Sequence, residues 1–366
     1  MLKNIPNVIV LAICALLLCT SASAVEIQNL DQANIKVDSR GKTERNHALK
    51  QALSVTFIKN SGDASVLSDT LIKEYVQNPN RLLTQYVYYQ QDNALYLKAI
   101  FDHQRLIQVL RQAQLPVWGN QRPLTLLWLS MPQASVHEIV ADAAQFEAKE
   151  HITHYATNQG IPILFPLMDL DDSMQVNVTD VRGKFATVIE RASERYDVEY
   201  FVVANMDNAA DEVRYQMSLY EKNHHSGLIQ ALVNYQGSAL DENLAAEQII
   251  DQMSAYFVSR YAIASSGDNL NTLLKLEGVS SMKDIVDIEH YLGELTAVKS
   301  IIINQIADNT VTYSIELFNQ VDDLKRLLNI NNRFEMLPAL LPSTDDSYID
   351  PIVTAPAPLT YRWHSR

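Results

Sequence analysis

A short segment with a proline near each end divides this chain and so limits what it can fold into. The segment, residues 115–123, reads LPVWGNQRP and stands directly before the apolar run LTLLWLSM. Each proline fixes one backbone angle, whereas the glycine allows a turn. The pattern predicts a connector between two domains, with Trp118, Arg122 and Pro123 as the interdomain joint. The alternative is that Trp118 and Arg122 clamp a ligand.

Residues 1–24 have the features of a secretory signal peptide. Lys3 supplies a positive charge, residues 8–18 form a short apolar core, and the run ends in Ala-Ser-Ala. We therefore predict cleavage after Ala24 and export to the bacterial periplasm. The alternatives are an uncleaved membrane anchor and a protein lipidated at Cys19.

Both cysteines, Cys14 and Cys19, lie inside the predicted signal peptide. The mature chain would therefore have no disulfide, no cysteine-ligated zinc site and no thiol nucleophile. No later run reaches the about 20 apolar residues that a membrane-spanning helix needs. These features are typical of a periplasmic protein whose stability comes from buried cores.

The chain has a formal net charge of -14. Proteins that bind nucleic acid need clustered Lys and Arg side chains to neutralise phosphates, so a nucleic acid is not an expected partner. Anionic lipid head groups would also repel an acidic chain. The acidity otherwise reports solubility and names no partner.

The mature chain reads as three folded units and a tail. Residues 25–116 have the order strand, helix, helix, strand, strand, helix, which predicts a small α+β domain. Four tyrosines of its hairpin either cover the sheet or form a stacking face for a ligand. These are Tyr86, Tyr88, Tyr89 and Tyr96.

Residues 122–265 predict a mixed-sheet, three-layer α/β domain. The run LTLLWLSM is typical of a strand buried on both faces, a helical pattern covers residues 135–159, and GIPILFP reads as a second buried strand. A helix over residues 181–196 and the strand VEYFVVANM continue the alternation that indicates a parallel sheet. An antiparallel hairpin and a closing helix follow.

Residues 268–337 have the order β-α-β-β-α-β, which predicts a ferredoxin-like domain. Residues 338–366 are rich in proline and lack periodicity. That composition predicts a disordered tail.

Three aspartates, Asp169, Asp171 and Asp172, directly follow the predicted strand GIPILFP. The carboxyl edge of a parallel sheet is where α/β proteins place ligand sites. Their carboxylates could bind a divalent cation, or they could form turns and cap a helix. We predict that this acidic loop is a recognition surface, with Arg182 or Arg195 as its counter-charge.

Two groups of residues that contain histidines are candidate metal ligands. Glu147, His151 and His154 share one helix face, which either holds zinc or copper or is simply solvated. His224 and His225 stand at a predicted hairpin tip, where the same two alternatives apply. Neither group has the order typical of zinc hydrolases, so no metal site and no cofactor is predicted.

The chain has no glycine-rich phosphate loop, nucleophile elbow or dinucleotide fingerprint. We therefore expect no enzyme, but a non-catalytic binding or assembly factor of the bacterial cell envelope whose partner is another envelope protein. The alternative is a metal-dependent hydrolase that uses the acidic loop, residues 169–172. The sequence indicates no oligomeric state.

Four segments resemble an uncharacterised family of exported proteobacterial proteins, the domain of unknown function 2066 (DUF2066): SRGKTERNHALKQAL, LPVWGNQRPLTLLWL, PLMDLDD and RASERYDVEYFVVANM. The resemblance covers most of the mature chain and implies no activity, substrate or site. The second unit also looks like the α/β domains of the Tol-system propeller protein and the curli secretion lipoprotein. The first looks like small domains of flagellar-ring accessory proteins. These are likenesses of fold alone.

Overall fold

The computed structural model describes residues 29–91, 93–133, 136–145, 147–209, 211–222, 229–264, 270–331, 333–338 and 358–365. These residues form a mixed α/β, multidomain arrangement with ten α-helices and three β-sheets of three, six and five strands. None of their helices is long and apolar enough to cross a membrane. The predicted signal peptide and the histidine pair 224–225 lie outside the described residues.

The first unit has the predicted order of elements. Its sheet is antiparallel in the order β1-β3-β2, and the apolar face of α1 packs against it through residues that include Leu49, Leu53 and Phe57. Asp102 starts the last helix by accepting a hydrogen bond from the backbone of Arg105. The elements are β1 (Gln32–Val37), α1 (Lys42–Ser61), α2 (Thr70–Gln77), β2 (Leu83–Gln91), β3 (Ala94–Phe101) and α3 (His103–Gln112).

The second unit is built on a mixed sheet in the order β5-β4-β7-β8-β9, with β6 also paired to β4. Strand β4 is parallel to β6 and β7, and the other pairs are antiparallel. The elements are β4 (Thr125–Gln133), β5 (Val136–Ile139), α4 (Glu147–Gln159), β6 (Ile163–Leu164), α5 (Leu170–Gln175), α6 (Val178–Arg182), α7 (Ala186–Ser193), β7 (Tyr200–Ala209), β8 (Glu212–Glu221), β9 (Val233–Ala239) and α8 (Glu242–Tyr261).

Helices cover both faces of this sheet. Successive strand residues point to opposite faces, and in β4 both sets are buried. Leu127 and Leu129 share one core with residues of α4 and α8, whereas Leu126 and Trp128 share another with residues of α6 and α7. The continuous apolar run of β4 is explained by this double burial.

Three predictions for the second unit were wrong in their boundaries. Residues 136–139 form strand β5, so the helix predicted over residues 135–159 begins only at Glu147. The strand predicted in GIPILFP has only two residues, and Leu164 is 38% exposed. The helix predicted over residues 181–196 breaks at Gly183. The spacing of apolar residues does not distinguish a short edge strand from a helical turn. Residues 136–139 form a strand because they pair with β4.

The third unit has the predicted element order, β-α-β-β-α-β, followed by one further strand. A capping box of Ser281 and Asp284 starts α9. The sheet order is β11-β12-β10-β14-β13, with β14 parallel to β10 and antiparallel to β13. The elements are β10 (Leu270–Glu277), α9 (Met282–Glu294), β11 (Val298–Ala307), β12 (Thr310–Leu317), α10 (Val321–Asn329), β13 (Phe334–Met336) and β14 (Leu359–Trp363).

Strand β14 contradicts the prediction of a disordered tail over residues 338–366. Tyr361 is fully buried and Trp363 is 2% exposed, and the indole nitrogen of Trp363 donates to Asp284 at 3.1 Å. The strand is too short to show a period among the surrounding prolines, and its neighbour β10 is distant in sequence. Residues 339–357 and 366 lie outside the described part of the chain.

Candidate functional site

Asp169, the first aspartate of the acidic loop, caps helix α5. Its Oδ1 accepts a hydrogen bond from the backbone N–H of Asp172 at 3.1 Å. Arg195 donates to both of its carboxylate oxygens, at 2.6 and 2.8 Å. This two-point pair holds the pKa of Asp169 down at about 2, so the carboxylate is ionised and already occupied at neutral pH.

Asp172 is fully buried inside the same loop. Its carboxylate accepts hydrogen bonds from the backbone of Met168 at 2.9 Å, from Arg195 at 3.1 Å and from the hydroxyl of Tyr196. A buried charge needs such partners to offset its lost hydration. Met168 has a positive φ of 52°, so the carboxylate also holds a turn that few residues adopt unaided.

The carboxylates of Asp169 and Asp172 therefore serve the structure of the loop and bind Arg195. Asp172 is buried, whereas Asp169 and Asp171 are exposed. Arg182 does not reach the loop: its guanidinium donates to Asp207 at 2.7 Å. The placement of Arg182 in the binding residues of this loop was wrong, and Arg195 takes that position. Spacing along the chain could not choose between Arg182 at the end of α6 and Arg195 just after α7.

Three apolar residues of the loop and its helix are also exposed. Leu167 is 51%, Leu170 74% and Met174 76% exposed, and we call these three residues the apolar knob. Leu170 and Met174 are four residues apart on α5 and so lie on one face. Sequence reasoning missed the knob because it followed the carboxylates, although the spacing of Leu170 and Met174 was a visible signal. Exposed apolar groups of this kind mark interaction surfaces.

Single substitutions distinguish the aspartate that stabilises the loop from the one that lies on its surface. Asp172→Asn is expected to lower the free energy of unfolding by about 1.5–3 kcal/mol, the range for a hydrogen bond to a charged group, because the amide cannot serve all three donors. Asp171→Asn, at the exposed neighbouring position, is the matched control and should change it by less than about 0.5 kcal/mol. Urea denaturation measures both, and equal losses would contradict the structural role of Asp172.

A second polar cluster lies at the carboxyl end of β7, and no sequence pattern beyond its residue types pointed to it. Asp207 lies 2.7 Å from Arg182 and 2.9 Å from Nε2 of His137. Asn205 donates to the other oxygen of Asp207 at 3.0 Å. This edge is where α/β sheets place ligands, but these contacts are among the cluster's own members and tie α6 and β5 to β7.

At the joint, Trp118 lies fully buried between the first and second units. Its backbone N–H donates to Asn60 at the end of α1, at 2.7 Å, and its ring centroid is 6.3 Å from that of Phe257 in α8. Gly62, with φ 76°, follows the end of α1 and lies directly against the Trp118 ring. A Cβ atom at position 62 would lie 2.6 Å from the nearest ring carbon. Trp118 therefore packs against helices of both units.

Arg122 is fully buried beside Trp118 and has only backbone carbonyls as acceptors. Its guanidinium donates to Gly119 at 2.7 Å, to Gly160 at 2.6 Å, to Lys59 at 2.5 Å and to Trp118 at 2.8 Å. Burial lowers the pKa of Arg122 to about 9. Lys59 belongs to the first unit and Gly160 to the second, so this one cation connects both.

The third unit meets the same joint. Arg111 of α3 donates to the backbone of Ile263 at 2.6 Å and of Thr296 at 2.7 Å, and its guanidinium lies 4.1 Å from the ring centroid of Phe318. The connector adds a short β-bridge from Val117 to Ile263. The sequence predicted a connector between two domains, whereas the structure places three units around it. Pro123 is buried at its end, just before β4.

The helix-face histidines are placed less tightly than a metal site requires. Nε2 of His151 lies 2.9 Å from Glu247 of α8, and His154 lies next to Asn158. Among the described residues, no group of three or more histidines and carboxylates is arranged to hold a metal ion.

Two family models match the chain, and neither has an assigned function. Residues 24–119 match a domain of unknown function, DUF8605, and residues 272–345 match DUF2066. The second match confirms the resemblance to DUF2066. It lies in the third unit, whereas the four segments that suggested the resemblance lie in the first and second. No curated protein matches the chain.

Two solved structures resemble the chain only remotely. A formyltetrahydrofolate deformylase from Pseudomonas putida KT2440 is 10% identical over 53% of this chain and 90% of that one, with a TM-score of 0.17. The formyltetrahydrofolate deformylase from Burkholderia mallei ATCC 23344 is 11% identical over 55% and 91%, with a TM-score of 0.16. Similarity this low supports no statement about fold or function.

Proposed function

We propose that this protein is a non-catalytic binding or assembly factor of the bacterial cell envelope, and that it docks another envelope protein through the apolar knob. The observation that carries the proposal is the exposure of Leu167, Leu170 and Met174 beside a loop whose polar atoms bind one another. Export by the signal peptide, cleaved after Ala24, and a periplasmic location belong to the same proposal.

Charge next to the knob defines the partner's chemistry. Asp171 is exposed beside Leu170, and the whole chain carries -14. A partner with an apolar groove rimmed by Lys or Arg would bury the knob and be steered toward it by charge. Anionic lipid would be repelled by the same charges.

The arrangement of the acidic loop weighs against the alternative, a metal-dependent hydrolase. Arg195 already binds Asp169 and Asp172, so a metal ion would have to displace a cation held by both carboxylates. A catalytic metal also needs ligands that leave one coordination position open for water or substrate. Of the three aspartates this leaves Asp171 for a metal ion, and one carboxylate is too few for such a site.

The finer fold assignments are also proposals. We propose that the second unit is a three-layer α/β domain, since helices cover both faces of its mixed sheet. For the third unit we propose a ferredoxin-like domain enlarged by β14, which lies between the first and last strands of the predicted pattern. Neither assignment implies an activity.

Cross-linking from the apolar knob tests the proposed function. A photo-cross-linking amino acid at position 170 is expected to give one discrete adduct in intact cells, and the same amino acid at position 240 should not. Leu240 is 81% exposed between β9 and α8 and is therefore the control for an exposed leucine outside the knob. Mass spectrometry of the adduct identifies the partner, which can then be purified.

With the purified partner, Leu170→Ser combined with Met174→Ser is expected to weaken binding at least tenfold, about 1.4 kcal/mol, as for a truncated central interface residue. Leu240→Ser should bind as the wild type does. Isothermal calorimetry measures both. Equal adducts at positions 170 and 240, or unchanged affinity of the double variant, would rule out the knob as the docking surface.

A further inference from the structure

Strand β11 lies at one edge of the third sheet. It pairs with β12 on one side, and no strand of the described residues pairs with its other side. It has ten residues, whereas strands typically have about 5–6. Its outer side therefore presents a long row of backbone N–H and C=O groups to solvent, which can bind another extended chain.

The side chains of β11 do little to block such pairing. Its sequence, VKSIIINQIA, contains no proline and no acidic residue. Ile302 is 67% and Ile306 55% exposed, and Lys299 forms a salt bridge with Glu316 at 2.6 Å. Proteins usually protect long edges with charges, prolines or covering loops. Two register shifts interrupt the pairing with β12, but residues 300–303 pair regularly.

A groove of about 360 Å³ runs between β11 and α9. A Cβ added at Gly293 would meet no atom within 4 Å, so the groove is open above this glycine. When a peptide adds to an edge strand, its backbone supplies affinity and a neighbouring groove receives its alternate side chains. The lining residues are Glu289, Gly293, Val298, Lys299, Ser300 and Ile301.

We infer that the groove between β11 and α9 binds an extended segment of a partner protein, in which apolar residues alternate with Lys or Arg. The charge of the groove wall selects this occupant. Glu289 of α9 is exposed and lines the groove. Lys299 also lines it, but its ammonium is paired with Glu316 at 2.6 Å. Outside the groove lining, α9 adds Asp287 and Glu294 against Lys283.

A second copy of this chain fits less well than a basic partner segment. Pairing β11 with the β11 of another copy would bring two acidic α9 helices side by side, where like charges repel. The groove lies on the third unit and the apolar knob on the second, so this inference does not depend on the proposed function.

A synthetic peptide of alternating valine and lysine, roughly six residues long as a typical strand is, tests the inference. The fluorescently labelled peptide is expected to bind the full mature chain, with slower amide hydrogen exchange in β11. The same peptide methylated on alternate backbone nitrogens should not bind, because it cannot pair as a strand. A valine–glutamate peptide should not bind either, because Glu289 would repel it.

Gly293 allows a matched pair of variants. Gly293→Trp fills the groove and is expected to weaken binding of the valine–lysine peptide at least tenfold, whereas Gly293→Ala should bind as the wild type does. Both residues favour a helix more than glycine does, and a thermal melt confirms folding. The knob variant Leu170→Ser should bind this peptide with the affinity of the wild type, which would show that peptide binding does not require the apolar knob.

Four results would overturn the inference. They are absence of binding, equal binding of the N-methylated peptide, equal affinity of Gly293→Trp and Gly293→Ala, and slowed exchange in β11 that follows protein concentration without peptide. The last result would identify a second copy of this chain as the occupant.

Discussion

Replacing Arg122 by methionine is expected to lower the free energy of unfolding by about 3–5 kcal/mol and to uncouple the first unit from the second. The substitution leaves four buried carbonyl oxygens without their donor. Each orphaned acceptor costs about 1–3 kcal/mol, and the removal of a buried cation offsets part of that loss. Differential scanning calorimetry should show one coupled transition splitting into two.

Two matched variants sharpen this result. Arg122→Lys keeps the charge but loses the planar fork, so it should destabilise the chain less than methionine does. Arg214→Met removes an arginine that is 69% exposed and should change the free energy of unfolding by less than about 0.5 kcal/mol. If Arg122→Met unfolds in one transition at the wild-type temperature, Arg122 does not hold the units together.

Trp118→Ala is expected to have an effect of similar size for a different reason. Truncation of a fully buried tryptophan typically costs about 3–5 kcal/mol, because it loses burial and leaves a cavity. The cavity would open between Gly62 at the end of α1 and Phe257 of α8. We expect both units to remain folded and limited proteolysis to cut faster within residues 115–123.

The chain offers a control for this measurement. Trp363 is 2% exposed and packs within the third unit, with its ring 5.0 Å from that of Phe334. Trp363→Ala should therefore destabilise the third unit without exposing residues 115–123. Trp118→Phe keeps a buried aromatic ring, so its rate of cleavage within residues 115–123 should be close to that of the wild type. Equal cleavage of this segment in Trp118→Ala and the wild type would show that Trp118 does not stabilise the joint.

Several parts of the structure could be predicted from local patterns. The first unit follows its predicted order because its helices and hairpin have complete signals nearby, such as the stop at Gly62 and the alternation around residues 91–93. Strand β4 was recognisable because it is buried on both faces, so its first seven residues are all buried and most of them are apolar. The position of the acidic loop after β6 was also correct.

Contacts between distant residues decided the rest. The sequence indicated that residues 169–172 form an acidic loop, but only the fold brings Arg195, more than a full helix away, against the carboxylates of Asp169 and Asp172. The fold also leaves Leu170 and Met174 exposed. The choice of Arg195 over Arg182 depends on how α6 and α7 pack on the sheet, which no local pattern encodes.

By itself, the sequence determined the acidic charge, the predicted export signal, the order of elements in the first unit and the place of the connector, because each depends on composition or on residues a few positions apart. The tertiary structure alone decided that three units meet at the connector, that Arg122 is neutralised by backbone dipoles and not by a carboxylate, and that β14 enters the third sheet. These outcomes depend on burial and on hydrogen bonds between residues far apart in the chain. The free energy of such contacts is set by the surrounding packing and not by the neighbours in sequence.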